Sequence, residues 1–137
     1  MKGIILGLLF LALLWRPDPA QANFYQGKTV TIISGTTAGS AYDTYARLFA
    51  SHLGKHVPGN PGFMVQNMPG GGSMVAANFL YGVAKPDGLT IASINPALYF
   101  NQLAGRQEVK FDWGKIRWLG SPDWSDHGVY MRTGTPY

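Results

Sequence analysis

Residues 65–78 read VQNMPGGGSMVAAN, and this stretch combines a strand, a turn and the beginning of a helix. The short apolar run before Pro69 is typical of a β-strand, and Ser73 opens an Ala-rich helical pattern. Three consecutive glycines, residues 70–72, stand between the two. Glycine adds no side-chain contacts and loses much backbone entropy on folding, so this turn indicates a place where something approaches the backbone closely.

The same strand–loop–helix unit is predicted on both sides of this stretch. Strands are predicted at 28–34, 63–66 and 89–94, and helices at 42–53, 74–83 and 96–105, the last with Pro96 at its first helical position. This alternation predicts an α/β fold with a mostly parallel sheet flanked by helices. Residues 116–121 and 127–134 are interpreted as two further strands, after which the chain stops without a capping element, as expected of a fragment.

The first 22 residues have the pattern of a secretory signal peptide. Lys2 is followed by an apolar run over 3–15 and by the small-x-small sequence Ala20–Ala22. Cleavage after Ala22 predicts an exported, periplasmic protein and leaves 137 less 22, or 115, residues, enough for one domain. The chain has no cysteine and a formal net charge of +4 with scattered basic residues, which argues against disulfides, thiolate metal sites and nucleic-acid binding.

Three loops are predicted at the carboxyl ends of three parallel strands, the edge at which open α/β sheets bind ligands. All three lead into helix N-termini, which favour anions, and none contains Lys or Arg. Backbone amides and hydroxyls are therefore expected to hold a carboxylate or phosphate. The candidate ligand-binding residues are Thr36, Thr37, Ala38, Gly39, Ser40, Ala41, Tyr42 and Asp43 in the first loop, Pro69, Gly70, Gly71, Gly72 and Ser73 in the second, and Asn95, Pro96 and Ala97 in the third.

Each of these signals also has a structural interpretation. The triple glycine by itself fits a plain turn, and it matches no phosphate-binding or dinucleotide fingerprint. Asp43 in the first turn of a helix, with Arg47 four residues later, is more typical of helix stabilisation than of ligand binding. His52 and His56 have metal-pair spacing without a third ligand, and Asp126-His127 lacks a nucleophile elbow. The sequence therefore predicts no catalytic residues, no metal and no cofactor.

Taken together and in order, the motifs of residues 24–120 resemble the tripartite tricarboxylate transporter substrate-binding family, also called Bug receptors. The matching motifs are Asp43 with Ala46-Arg47, Asn67-Met68-Pro69-Gly70-Gly71-Gly72, Ala84-Lys85-Pro86-Asp87-Gly88 and Asn95-Pro96-Ala97-Leu98. The resemblance implies a two-domain, type II periplasmic-binding-protein fold, of which this chain is the N-terminal half. Domain I then occupies 23–120, and the crossover to a truncated domain II begins within 121–137.

In that family the first two loops close on a ligand carboxylate through amides, hydroxyls and bridging waters. One difference is that many relatives carry Pro-Gly-Gly-Gly-Thr-Asp in the first loop, where this chain has Ala38-Gly39-Ser40-Ala41-Tyr42-Asp43. Ala41 and Tyr42 narrow the pocket and add an aromatic wall, so the resemblance implies a carboxylate ligand but no tricarboxylate specificity.

The resemblance further implies a monomeric, non-enzymatic receptor that delivers a small organic acid to a membrane permease of two integral subunits. Two other functions stay open on the sequence. One is a periplasmic sensor that reports the ligand to a signalling partner, and the other is a fragment of an α/β enzyme that binds a phosphate ester at the same loops.

Overall fold

The computed structural model describes residues 24–122 as an α/β domain built on a three-stranded parallel sheet of order β2-β1-β3. The elements are β1 (Thr29–Ser34), α1 (Ala41–His52), β2 (Gly62–Asn67), α2 (Met74–Gly82), β3 (Thr90–Ser93) and α3 (Leu98–Leu103). Short 3-10 turns follow at Leu53–His56, Gly71–Ser73 and Trp113–Lys115. The predicted signal peptide, Asp126-His127 and the strand predicted at 127–134 lie outside the described residues.

All six elements predicted before residue 106 are confirmed, but Pro96 was wrongly placed as the first residue of its helix. Asn95 folds the chain into a turn there, because its Oδ1 accepts from the Ala97 amide at 2.9 Å and its carbonyl accepts from the Leu98 amide at 3.2 Å. The helix consequently begins only at Leu98.

The strand predicted at 116–121 is also wrong. In the described part of the chain these residues pair with no strand. Side-chain contacts take the place of sheet pairing, since the Trp118 ring lies 4.4 Å from the Trp113 ring, centroid to centroid, and Ile116 packs against the core. The large apolar residues of 116–121 therefore belong to an irregular segment that packs against the domain.

The central strand β1 is the most deeply buried element because it has neighbours on both edges and on both faces. Successive side chains of a strand point to opposite faces, so Val30 and Ile32 face one way and Ile33 the other. All three are buried. On one face α1 packs against β1 and β2 through a buried Ala46, and on the other Ile33 joins the core under α2.

The main core lies between the sheet, α2 and the N-terminus of α3. Its buried members are Ile33, Met74, Ala76, Ala77, Ile94, Leu98 and Phe111. The two alanines of α2 allow that helix to approach the sheet closely, which positions the glycine turn before it over the end of β1. The core thus fixes where the second loop lies relative to the first.

Candidate functional site at the carboxyl edge of the sheet

The three candidate loops begin at one level of the sheet. The parallel register pairs Ser34, the last residue of β1, with Asn67 at the end of β2 and with Ser93 at the end of β3. The first loop (residues 35–40), the second loop (68–73) and the third loop (94–97) therefore start side by side. Because β1 is central, the connection from β2 to β3 passes the end of β1, which makes this the position where open α/β sheets bind ligands.

The first loop is held by a chain of hydroxyl groups. The Thr36 hydroxyl lies 3.2 Å from the Ser34 hydroxyl and 2.5 Å from that of Ser40. Ser40 also caps α1, since its side chain accepts from the amide of Asp43 at 3.4 Å. Two of the three predicted hydroxyl donors of this loop, Thr36 and Ser40, are thus already bonded within the protein, whereas Thr37 is exposed.

Asp43 is buried, with 1% of its surface exposed, and both of its carboxylate oxygens are occupied. Oδ2 accepts from the Arg47 Nε at 2.9 Å and from the Gly39 amide at 2.8 Å, and Oδ1 accepts from the Asn67 Nδ2 at 2.7 Å. These contacts confirm Arg47 as its partner. The hydrogen bond from Arg47, followed by those from Gly39 and Asn67, holds the pKa of Asp43 well below its ordinary value.

The lowered pKa predicts that Asp43 makes the fold sensitive to acid. A carboxylate with a depressed folded-state pKa stabilises the native state fully above its ordinary pKa of 3.8, and this stabilisation is lost as the pH falls from there toward the lowered value. We therefore expect Asp43→Asn to unfold more easily than wild type near neutral pH, because Arg47 and Gly39 lose their anionic acceptor. The variant should also lose less stability than wild type between about pH 4 and about pH 2.

Urea unfolding midpoints at a series of pH values check this prediction. Asp87→Asn is the matched control, since Asp87 is an exposed carboxylate in the turn before β3. It should retain the acid sensitivity of the wild type. Equal acid sensitivity in wild type and Asp43→Asn would contradict the assignment.

The second loop requires glycine for its backbone conformation and for space. Gly70, Gly71 and Gly72 have φ angles of 141°, 56° and 62°, values that residues with a Cβ rarely adopt. A Cβ at Gly70 would lie 2.6 Å from the Cγ2 of Val75, and one at Gly71 would lie 2.8 Å from the Cβ of Met74. The triple glycine is therefore first of all a left-handed turn that carries the chain over β1 into α2.

Ser73 ends this turn in a strained conformation. Its φ is 79°, its side chain is fully buried, and its Oγ has no hydrogen-bond partner among the described residues. It lies directly against Gly35, where a Cβ would come within 2.5 Å of the Ser73 Cβ. Ser73 was predicted to offer its hydroxyl to the ligand. It does lie at this edge, but its side chain is buried where the second loop contacts the first.

Five exposed residues of the first two loops have backbone amides that remain open at this edge. Within residues 24–122, the N–H groups of Thr37, Ala38, Gly70, Gly71 and Gly72 donate to no described atom, and all five residues are exposed. Pro69 is also exposed and has no N–H to donate. Open amides from two adjacent loops can converge on one anion without a charged side chain.

The third loop contributes differently from what its sequence predicts. The Ala97 amide is bonded to the Asn95 side chain, and those of Leu98 and Tyr99 are bonded to the carbonyls of Asn95 and Pro96. Pro96 and Ala97 are exposed and form a surface beside the first loop. Tyr42, predicted to wall the pocket, is half-buried, and its carbonyl accepts from the Ser93 hydroxyl at 3.3 Å, which joins α1 to the end of β3.

Two concave regions of the described domain lie away from these loops. One of about 360 Å³ lies between α1 and β2 beside Arg47 and Phe63, and one of about 180 Å³ lies near the start of the strands beside Tyr25 and Leu53. Residues 24–122 contain no group of three His, Cys, Asp or Glu arranged to hold a metal ion and no helix long and apolar enough to cross a membrane.

Sequence reasoning did not single out two residues that shape this edge. Gly35 is buried against Ser73, and the Asn67 side chain connects the first loop to α1. The sequence shows Asn67 only as part of the motif Asn67-Met68-Pro69-Gly70-Gly71-Gly72. A usable signal for it was its position at the end of a strand, where a polar side chain faces the neighbouring loop.

This chain is similar to one curated bacterial protein. It is 32% identical over 97 residues to the "UPF0065 protein in gbd 5'region" of Cupriavidus necator. The alignment covers 71% of this chain and 29% of that protein, so the chain spans less than a third of its relative's length. No family model and no solved structure matches the chain.

Proposed function

We propose that this chain is part of a Bug-family solute-binding receptor that captures a small organic acid at the carboxyl edge of its sheet. UPF0065, the designation of the similar protein from Cupriavidus necator, denotes the Bug family. The α/β architecture and the order of the sequence motifs agree with this proposal. The similarity also favours a binding protein over an enzyme.

The observation that carries the proposal is the group of open amides in the first and second loops. Thr37 and Ala38 stand just before the N-terminus of α1, and the three glycines stand just before that of α2. Helix N-termini attract anions, and glycine lets a carboxylate approach the backbone without a Cβ in the way. The strained backbone and the unpaired hydroxyl of Ser73 lie between these loops, and such features concentrate at ligand sites.

The chemistry of the edge favours a carboxylate bound by neutral donors. The loops contain no Lys or Arg, and the guanidinium of Arg47 is paired with Asp43. Hydrogen bonds from neutral donors to a carboxylate each contribute about 1.5–3 kcal/mol. In this proposal, domain closure supplies the remaining affinity, and residues 121–137 begin the crossover toward a second domain.

The location and partners belong to the same proposal. Export through the signal peptide at residues 1–22 places the receptor in the periplasm. There it would deliver its ligand to a permease with two integral membrane subunits, as a monomer and without a cofactor.

A thermal-shift screen of the full-length protein tests this function. Butyrate, succinate, citrate and glucose 6-phosphate serve as probes. A ligand that binds only the native state raises the unfolding midpoint, and a hundredfold excess over Kd stabilises by about 2.7 kcal/mol. We expect a shift with a carboxylate. A shift with glucose 6-phosphate alone would instead support the enzyme alternative.

Thr37→Val locates the binding site within the edge. This near-isosteric change removes the exposed Thr37 hydroxyl, and since exposed changes usually alter stability by less than about 0.5 kcal/mol, the fold should stay intact. We expect the affinity for the carboxylate to fall by roughly tenfold, the value of one hydrogen bond. Thr29→Val, the same change at the exposed start of β1, is the matched control. Equal affinities of the two variants would show that the Thr37 hydroxyl does not bind the ligand.

A further inference from the structure

We propose that Asn67 is a positioning residue that holds the first loop in the shape its ligand requires, without touching the ligand. The inference rests on the proposed function, because the first loop supplies two of the five open amides. Asn67 is the last residue of β2 and immediately precedes the second loop. It therefore stands where the two loops diverge.

The Asn67 carboxamide uses its donors and its acceptor on three different partners. Its Nδ2 donates to the Thr36 carbonyl at 3.0 Å and to Asp43 Oδ1 at 2.7 Å, and its Oδ1 accepts from Arg47 Nη2 at 3.1 Å. These bonds join the first loop and α1 to the end of β2. Since both N–H groups are engaged inside the protein, neither is left for a ligand.

This arrangement fixes the first loop on both sides of Thr37 and Ala38, the two residues with open amides. Asn67 holds the Thr36 carbonyl, and Asp43, which Asn67 orients, holds the Gly39 amide at 2.8 Å. Thr37 and Ala38 lie between those two points. Their amides are therefore aimed by a carboxamide at residue 67 and a carboxylate at residue 43.

Only a carboxamide of this length satisfies the position. A carboxylate at 67 has no hydrogen to donate to the Thr36 carbonyl and would repel Asp43. A glutamine would carry its amide one methylene farther out. An apolar side chain would leave the Thr36 carbonyl, Asp43 Oδ1 and Arg47 Nη2 without the partner that Asn67 provides. The substitution Asn67→Asp thus removes the loop contact while keeping size and shape.

The experiment compares wild type and Asn67→Asp in the full-length protein at about 10 °C. Amide hydrogen exchange at Gly39 is measured without ligand, and succinate and citrate binding is measured by calorimetry. We expect Gly39 to exchange roughly tenfold faster, since its acceptor is no longer held in place. We expect binding to weaken roughly tenfold or more. Gln66→Glu, the same amide-to-acid change at the exposed neighbouring residue, should alter neither.

The double variant Asp43→Asn/Asn67→Asp separates positioning from simple stabilisation. It restores one carboxylate and one carboxamide beside Arg47, and so recovers stability, but leaves the Thr36 carbonyl without a donor. Positioning predicts that stability returns while carboxylate binding stays weak. If binding recovers together with stability, or if folded Asn67→Asp binds like wild type, the proposal is overturned.

The same experiment distinguishes failure of the proposed function from failure of the inference about Asn67. A wild-type protein that binds neither succinate nor citrate would remove support for that carboxylate site. Gly39 exchange would still decide the structural part of the inference. Unchanged exchange in Asn67→Asp would show that Asn67 does not hold the loop and would overturn it.

Discussion

Replacing Gly35 by alanine is expected to lower the free energy of unfolding by about 3 kcal/mol, at the upper end of the usual effect of overpacking. A Cβ at this residue would lie 2.5 Å from the Cβ of Ser73, 2.6 Å from its Oγ and 3.1 Å from its Cα. Because rotation of the Ser73 side chain moves its Oγ but not its Cβ, it cannot relieve the overlap. The second loop must move away from β1, which is buried on both faces.

A double-mutant cycle with Ser73→Gly tests this cause. Glycine at residue 73 removes the two closest atoms and relaxes the left-handed backbone at φ 79°. We expect the second change to restore about 1–2 kcal/mol to Gly35→Ala, measured by urea unfolding. Gly82→Ala is the control, because a Cβ at Gly82 meets no atom within 4 Å among the described residues. Strictly additive effects at 35 and 73 would contradict the contact.

Leu98→Ala is expected to destabilise the domain by about 3 kcal/mol. Leu98 is the first residue of α3, and 1% of its surface is exposed within the core formed with Ile33 and Met74. Removing its side chain leaves a cavity and weakens the main attachment of a helix only six residues long. We also expect the third loop, which immediately precedes this helix, to become more mobile.

Leu103→Ala makes the same chemical change on the same helix and serves as the control. Its side chain is 65% exposed, so its effect should stay within about 0.5 kcal/mol. Chemical denaturation and hydrogen exchange at Ala97 measure the two consequences for both variants. Similar losses of stability would show that α3 is not anchored through Leu98.

The local elements were predictable because each depends on residues close in sequence. The alternating β-branched run of β1 and the helical spacing in α1 are both short-range patterns. The pairing of Asp43 with Arg47 was predictable for the same reason, since the two residues lie one helical turn apart. The strand prediction for residues 116–121 was wrong because an apolar pattern of this kind forms a strand only if a partner strand lies beside it.

The strand–loop–helix alternation and the uncharged character of the three loops follow from the order of the residues alone. The contact of Ser73 with Gly35 and the bond from Asn67 to Thr36, 31 residues earlier, arise from the three-dimensional arrangement of the strands. Such contacts depend on strand order and register, which bring the loops together at one edge. These long-range contacts depend on how the helices and the sheet pack around the shared core, which cannot be predicted from any short stretch of the sequence.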